Sequence, residues 1–279
     1  MAAEVPPDAL GIPASALARV PGVTSGQPPR ITTLLGGTVN RVFRVDTSAG
    51  RFVLRLDGEH WRRPGVERAR ELALHRAAAA AGLAPAIVDA DPAGAGLLIT
   101  EFLDGRMWQA EDYQSAASLA RLGVRLAALH ALAPPDVTPF DPLGIARDYA
   151  RAAAERLEEP DPELAQAVGE LEGVVRRLGP SRSPVVVHGD LAATNLLQGA
   201  RLWLLDWEYA QLADPLDDMA CILAYYPAAH RHRAPLLAAA GFDAAGVATE
   251  LSQRVFVYET LAWLWHRARG EGKLPRPRT

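Results

Sequence analysis

Lysine is almost missing from this 279-residue chain: of its 29 basic residues only Lys273 is a lysine, so any positively charged role before it falls to arginine. Cysteine is scarcer than a disulfide requires, because the lone Cys221 has no intrachain partner. No segment reaches the roughly 18 to 20 apolar residues that span a bilayer; the alanine-rich stretch at 77–81 is short and is broken by Gly82 and Pro85. An excess of positive charge is also lacking. The net charge of −4 and a pI near 6.0 give no basic field for nucleic acid. The first residues, Met1-Ala2-Ala3-Glu4, carry neither the basic nor the apolar region of a secretory signal. These absences lead to the expectation of a cytoplasmic protein with a small-molecule partner, no nucleic acid and no membrane. They leave the oligomeric state open.

What is present is a change of texture along the chain. Residues 1–30 hold several prolines and glycines without a sustained period and read as a loosely tied leader with one short helix near 14–19. Then "RITTLL", "RVFRV" and "RFVLRL" follow as short β-branched or alternating runs separated by Gly36-Gly37 and by Thr47-Ser48-Ala49-Gly50, the pattern of an antiparallel meander. "GVERARELALHRAAAAAG" predicts a helix that stops at Gly82, and "AIVDA" and "GLLITEF" predict two further strands. After Asp104-Gly105 the period becomes helical over 111–132, where Leu119, Leu122, Leu126 and Leu129 recur at spacings of three and four. Helices are also expected at 143–158 and 161–178, after Pro215, and from Asp243 to Arg269. The expected division is a leader at 1–30, a β-rich lobe at 31–103 and a helical lobe at 104–279.

One stretch interrupts the helices. "VVVHGDLAATNLLQGARLWLLDWEYA", residues 185–210, has two apolar runs that open onto titratable groups. His188-Gly189-Asp190-Leu191-Ala192-Ala193-Thr194-Asn195 places an Asp and an Asn at the spacing of a phosphotransfer loop, D-L-x-x-x-N, and Asp206 ends the later run. The chemistry needs these types. Asp190 would meet an acceptor hydroxyl and take its proton, while Asn195 and Asp206 would offer magnesium the hard oxygen ligands it prefers. A hairpin joining the two runs would bring Asn195 and Asp206 to one end. Turn chemistry accounts for an isolated Asp or Asn where a strand ends, but less readily for the three in this order.

On these residues the chain resembles the aminoglycoside phosphotransferase and choline kinase superfamily over about residues 30–269. "LLDWEYA" with Asp214-Pro215-Leu216-Asp217-Asp218 is most similar to the choline and thiamine kinases. The resemblance implies an α+β, protein-kinase-like bilobal fold, with a small antiparallel β N-lobe and a large helical C-lobe. It also implies ATP as co-substrate, Mg2+ as cofactor, and transfer of the γ-phosphate to a small, cationic amino alcohol. A thiamine kinase, an aminoglycoside phosphotransferase and a catalytically inactive nucleotide-binding pseudokinase are the alternatives.

Further residues follow from the same resemblance. Gly37, Thr38 and Asn40 would cover the phosphates. Arg55 would stand where a kinase fold usually has a lysine, paired with Glu71, although Glu67 lies one turn away. The main chain of Glu101 and Leu103 would meet adenine, with Thr100 behind it. Tyr225, Tyr258, Trp263 and Trp265 are acceptor-binding candidates, with Tyr226 a further one. Because Trp263 and Trp265 are two residues apart on a helix, one should line the pocket and the other pack inside. His188 and Asp218 would hold the loop, and His130 would hydrogen-bond within the helical core. The helix after the metal site, read as "MACILAYY", lacks the acid that eukaryotic choline kinases place there.

Overall fold

The computed structural model describes residues 10–24, 27–34, 40–58, 64–93, 96–181, 183–271 and 275–277. It opens with a single helical turn, α1 (Ala14–Leu17), followed by β1 (Arg30–Thr33), β2 (Arg41–Thr47), β3 (Gly50–Leu56), α2 (Arg68–Ala80), β4 (Ile87–Asp91) and β5 (Leu97–Glu101). These strands form one antiparallel sheet in the order β1-β2-β3-β5-β4. Alternation along β3 decides what each face does. Phe52, Leu54 and Leu56 enter an apolar core with Phe43, Val45, Leu97 and Ile99, and Arg55 goes to the opposite side, where it meets α2.

The leader is not loose where it is described. Ile12, Ala16, Leu17 and Val20 are buried in that same core. Arg19 reaches across to Asp89 at 2.6 Å and Asp91 at 3.1 Å, and Thr47 Oγ1 donates to Pro21 O at 2.7 Å. The prolines that broke any period simply shape a segment that covers one face of the sheet.

The C-terminal region is helical: α3 (Ala116–His130), α4 (Pro142–Ala154), α5 (Pro162–Leu178), α6 (Leu216–Tyr225), α7 (Arg233–Ala239) and α8 (Ala248–Ala268). Helix α3 starts later than the periodicity suggests, because residues 110–114 form a separate 3-10 turn and Ser115 caps the helix by accepting the N–H of Ser118. Its four leucines at 119, 122, 126 and 129 are fully buried, each worth about 1.5 to 3 kcal/mol of burial. Asp141 and Asp161 cap α4 and α5, each ahead of a proline in the first turn.

Two small sheets lie inside this region. In chain order their strands are β6 (Arg106–Met107), β7 (Val185–Val187), β8 (Leu196–Gln198), β9 (Leu202–Leu204) and β10 (Gln211–Ala213). β6, β8 and β9 pair in that order, and β7 pairs with β10. The β8–β9 hairpin sets Leu196 opposite Leu204, and Leu205 N donates to Asn195 O at 2.9 Å. Asp206 therefore emerges one residue beyond the chain bonded to Asn195. No helix among the described residues is long and apolar enough to cross a membrane.

Candidate active site

The loop after β7 is fixed from beneath. Asp218, at the start of α6 and fully buried, accepts the backbone N–H of His188 and of Gly189, each at 3.0 Å, and lies 2.9 Å from His130 Nε2. Gly189 is required here, since its φ is +74° and a Cβ would stand 2.6 Å from Tyr209 O. His188 is buried and donates from Nε2 to Leu205 O at 2.8 Å, while its Nδ1 accepts the N–H of Asp190 at 3.3 Å. Burial holds its pKa below the ordinary value, so the ring is neutral with its proton on Nε2. One imidazole thus ties the residue before Asp206 to Asp190. Trp207 packs edge-on against His188, at 4.9 Å between ring centroids, and stacks on His75 of α2.

Asp190 stands on this loop, facing the cleft. Asn195 Nδ2 donates to Asp190 Oδ2 at 2.8 Å and to Asp190 O at 2.9 Å, and Tyr225 donates from its hydroxyl to Asp190 Oδ1 at 3.0 Å. Burial raises the Asp190 carboxyl above its usual range, with His188, Tyr225 and Asn195 acting against the rise. Since both Asn195 donations leave from its nitrogen, no hydrogen bond among the described residues occupies its side-chain oxygen. Asp206 has φ +60°, the only non-glycine residue among those described with a positive φ. Its side chain is 40% exposed, toward the cleft. Strain of this kind persists where surrounding structure enforces it, and here the β8–β9 hairpin and His188 do so.

A dense ion cluster backs Asp206. Arg55 forms a forked pair with both oxygens of Glu71, the second at 3.0 Å, and approaches Asp206 at 3.8 Å. Glu67 is largely exposed, which settles the choice of partner for Arg55 in favour of Glu71. Burial works to raise the Glu71 carboxyl, but Arg55 and Arg68 outweigh it and hold it below the usual value. Arg68 reaches Asp57 and Glu71 at 2.7 Å, Asn40 at 2.9 Å and Glu208 at 3.2 Å. Two guanidiniums therefore serve four carboxylates: Asp57, Glu71, Asp206 and Glu208. The surplus is negative. Desolvation and then Glu208 push the Asp206 carboxyl upward, only partly offset by Arg55. Among the described residues no three His, Cys, Asp or Glu side chains enclose an ion by themselves. The oxygens of Asn195 and Asp206 beside a negative surplus nevertheless fit magnesium, which takes a few protein ligands and completes its shell with water and phosphate.

Other sequence candidates divide. Gly37 and Thr38 lie outside the described residues. Asn40, expected over the phosphates, has both ends of its amide committed, donating to Glu208 at 2.9 Å and accepting from Arg68. Its side chain braces β2 against Glu208. Glu101 exchanges hydrogen bonds with Ala86, and the N–H of Leu103 is taken by no hydrogen bond among the described residues. Thr100 is buried.

Asp190, Asn195 and Asp206 open onto a cleft of about 1050 Å³. Tyr225, Tyr258 and Trp265 line it. Trp263 does not: it is 3% exposed and packed with Phe256 and Leu264, because a two-residue step turns it roughly 200° from Trp265 around α8. Tyr226 also turns away, stacking on Tyr113 at 3.7 Å between ring centroids and accepting the N–H of Ala193 at 2.7 Å. The helix after the metal site is not free of acids, since α6 begins at Leu216 and its Asp217 lines the cleft. Asp217 and Asp214 share Arg254 of α8 at 2.8 and 2.9 Å, together with Glu250 at 2.7 Å. Sequence reasoning missed this cluster, as it missed Arg68 and Glu208.

Residues 30–264 match the family described as "Phosphotransferase enzyme family". The chain belongs to that family. The phosphotransferase is also similar to solved structures. A choline/ethanolamine kinase family protein from Mesorhizobium loti superposes with a TM-score of 0.74 at 25% identity, over 92% of this chain and 90% of that one. The choline kinase LicA from Streptococcus pneumoniae gives 0.73 at 20% identity, over 88% and 87%, and LicA has also been solved in complex with AMP. A microcompartment-associated aminopropanol kinase gives 0.66 at 17% identity, over 91% and 88%. Among curated protein sequences none matches. The phosphotransferase is thus a small-molecule kinase with an alcohol group as acceptor and the protein-kinase-like fold.

Proposed function

We propose that this phosphotransferase moves the γ-phosphate of ATP to the hydroxyl of a small, cationic amino alcohol. The observation that carries the reading is the convergence of Asp190, Asn195 and Asp206 at the floor of one cleft, held there by the β8–β9 hairpin and by His188. Asp190 orients the acceptor hydroxyl and receives its proton as the oxygen attacks the γ-phosphorus. Asn195 and Asp206 would hold magnesium, whose charge would neutralise the phosphate oxygens. Arg55, steadied by Glu71, adds a fixed positive charge to the same oxygens, and its forked donors suit them. Adenine lies against the main chain near Glu101 and Leu103.

The acceptor side supports a cation. Tyr225, Tyr258 and Trp265 offer aromatic faces, each contact worth about 0.5 to 2 kcal/mol to an ammonium group. Asp217 adds a carboxylate on the same wall. The cleft is roomy enough for a larger acceptor, which favours thiamine as the second reading. Assay of ATP consumption against choline, ethanolamine and thiamine separates them. Asp190→Asn is the test of the mechanism: turnover with the best acceptor should fall by about 10²- to 10⁴-fold while ATP binding, measured by calorimetry, stays within a factor of two to three. Undiminished turnover would remove Asp190 from its role.

A further inference from the structure

The hydrogen bonds on Asp190 raise a question about the enzyme without its acceptor. Oδ2 is bonded by Asn195, and Oδ1 by the hydroxyl of Tyr225 at 3.0 Å. Tyr225 reaches this position from the last residue of α6, 43% exposed, with Tyr258 edge-on at 5.4 Å between ring centroids. Its phenol is an alcohol-type O–H donating to the proposed base from the cleft side. That is the donation an acceptor hydroxyl must make before transfer. The neighbouring tyrosines do different work: Tyr226 accepts the N–H of Ala193, and Tyr258 donates to Gly189 O at 3.3 Å.

We infer that Tyr225 is a place-holder, a positioning residue whose hydroxyl occupies the acceptor's seat on Asp190 and keeps water from it until an acceptor displaces the ring. The inference rests on the kinase reading and deepens it. A kinase that binds ATP beside an open base is exposed to futile transfer: water donates its proton to Asp190, its oxygen bonds to the γ-phosphorus, and the bond to the β–γ bridging oxygen breaks to release ADP and phosphate. A phenol already bonded to Oδ1 denies water that geometry. The acceptor overcomes it because its cation is held by the aromatic wall, so binding energy away from the reacting centre pushes Tyr225 aside. Half exposure gives the ring a route into the cleft. Tyr225 would thus add selectivity for alcohols that carry a binding group over water, which carries none.

The test needs no knowledge of the acceptor. Phosphate release from Mg·ATP alone is measured for the wild-type chain, Tyr225→Phe, and Tyr225→Phe combined with Asp190→Asn, with ATP binding by calorimetry and the thermal midpoint as controls. Removing the hydroxyl should raise acceptor-free hydrolysis by about tenfold, a modest share of what a positioned base supplies, and the double variant should abolish the gain. Equal or slower hydrolysis in a folded, ATP-binding Tyr225→Phe chain overturns the inference. So does phosphate found by mass spectrometry on Tyr225 itself, since the phenol would then be an acceptor. Loss of ATP binding in the wild type would instead fell the kinase reading and the inference with it. A second readout avoids metal and nucleotide: in chain labelled with 3-fluorotyrosine, Asp190→Ala should shift the fluorine resonance that Tyr225→Phe deletes, and an unmoved resonance rejects the contact.

Discussion

Two arginine-centred clusters flank the cleft, and they are built to different standards. On the nucleotide side Arg55 and Arg68 are sealed between β3 and α2, with side chains 11% and 4% exposed and their partner Glu71 at 3%. On the acceptor side Arg254 gathers Asp214, Asp217 and Glu250, but Glu250 is 45% exposed and Asp217 opens onto the cleft. The difference matches what each wall must recognise. A triphosphate presents the same oxygens to any enzyme that uses it, so the charges facing it can be locked by mutual pairing. An acceptor is particular to its enzyme, and its wall keeps groups whose charge is less completely compensated. The closed cluster therefore reports the family, and the open one reports this chain.

Removing one acid from each cluster is the largest test of that contrast. Glu71→Ala leaves two buried guanidiniums short of a partner, and breaking a buried pair in this way costs about 3 to 5 kcal/mol. The urea midpoint should drop sharply, and KM for ATP should rise in whatever fraction stays folded. Glu250→Ala removes a solvent-screened partner and should cost at most about 1 kcal/mol. Equal losses from the two variants would mean that the clusters do not differ as described.

What the sequence made legible follows the same division. His188, Asp190, Asn195 and Asp206 were readable because the chemistry demands fixed types at short spacing, and Arg55 because strand alternation points it away from Phe52 and Leu54. Arg68, Glu208 and Asn40 were not, since their contacts join residues separated by 28 to 168 positions and nothing local marks an arginine on α2 as buried. The left-handed backbone of Asp206 was equally hidden, because only the hairpin enforces it. Strands β6 and β10, of two and three residues, are too short for any period to reveal. Arg254 and Asp217 escaped notice for another reason: α8 reads as a helix carrying aromatics, and Asp217 was counted with the loop although it stands in the first turn of α6.

Trp263 and Trp265 allow a middle-sized test on one helix. Trp263→Ala empties a packed site in the core of α5 and α8 and should cost about 3 to 5 kcal/mol in stability. Trp265 donates to the Tyr209 hydroxyl at 2.9 Å and has the Arg269 guanidinium 4.6 Å from its ring centroid. Trp265→Ala should therefore act on KM for the best acceptor in the choline, ethanolamine and thiamine panel, raising it by about 2- to 30-fold for one lost cation–π contact, with KM for ATP unchanged. If Trp265→Ala moves both constants together, its place on the acceptor wall is structural and the division between the walls weakens.

The smallest effect concerns Asp217, whose carboxyl is pushed up to about 6 by burial first and by Asp214 and Asp218 next, against the pull of Arg254. Its ordinary value is about 3.9, so between about pH 4 and 6 the folded chain holds a proton that the unfolded chain has released. The stability from that proton is fully present below about pH 4, falls as pH rises, and is gone above about 6. Asp217→Asn keeps the side chain neutral throughout and leaves Asp214 and Glu250 to pair Arg254. The variant should match the wild type near pH 4 and exceed it at pH 7 by about 1 kcal/mol, read from unfolding midpoints at both pH values. Destabilisation at pH 7 would mean that the Asp217–Arg254 pair outweighs the cost of crowding three acids around one arginine, and the acceptor wall would then be as fully compensated as the nucleotide wall.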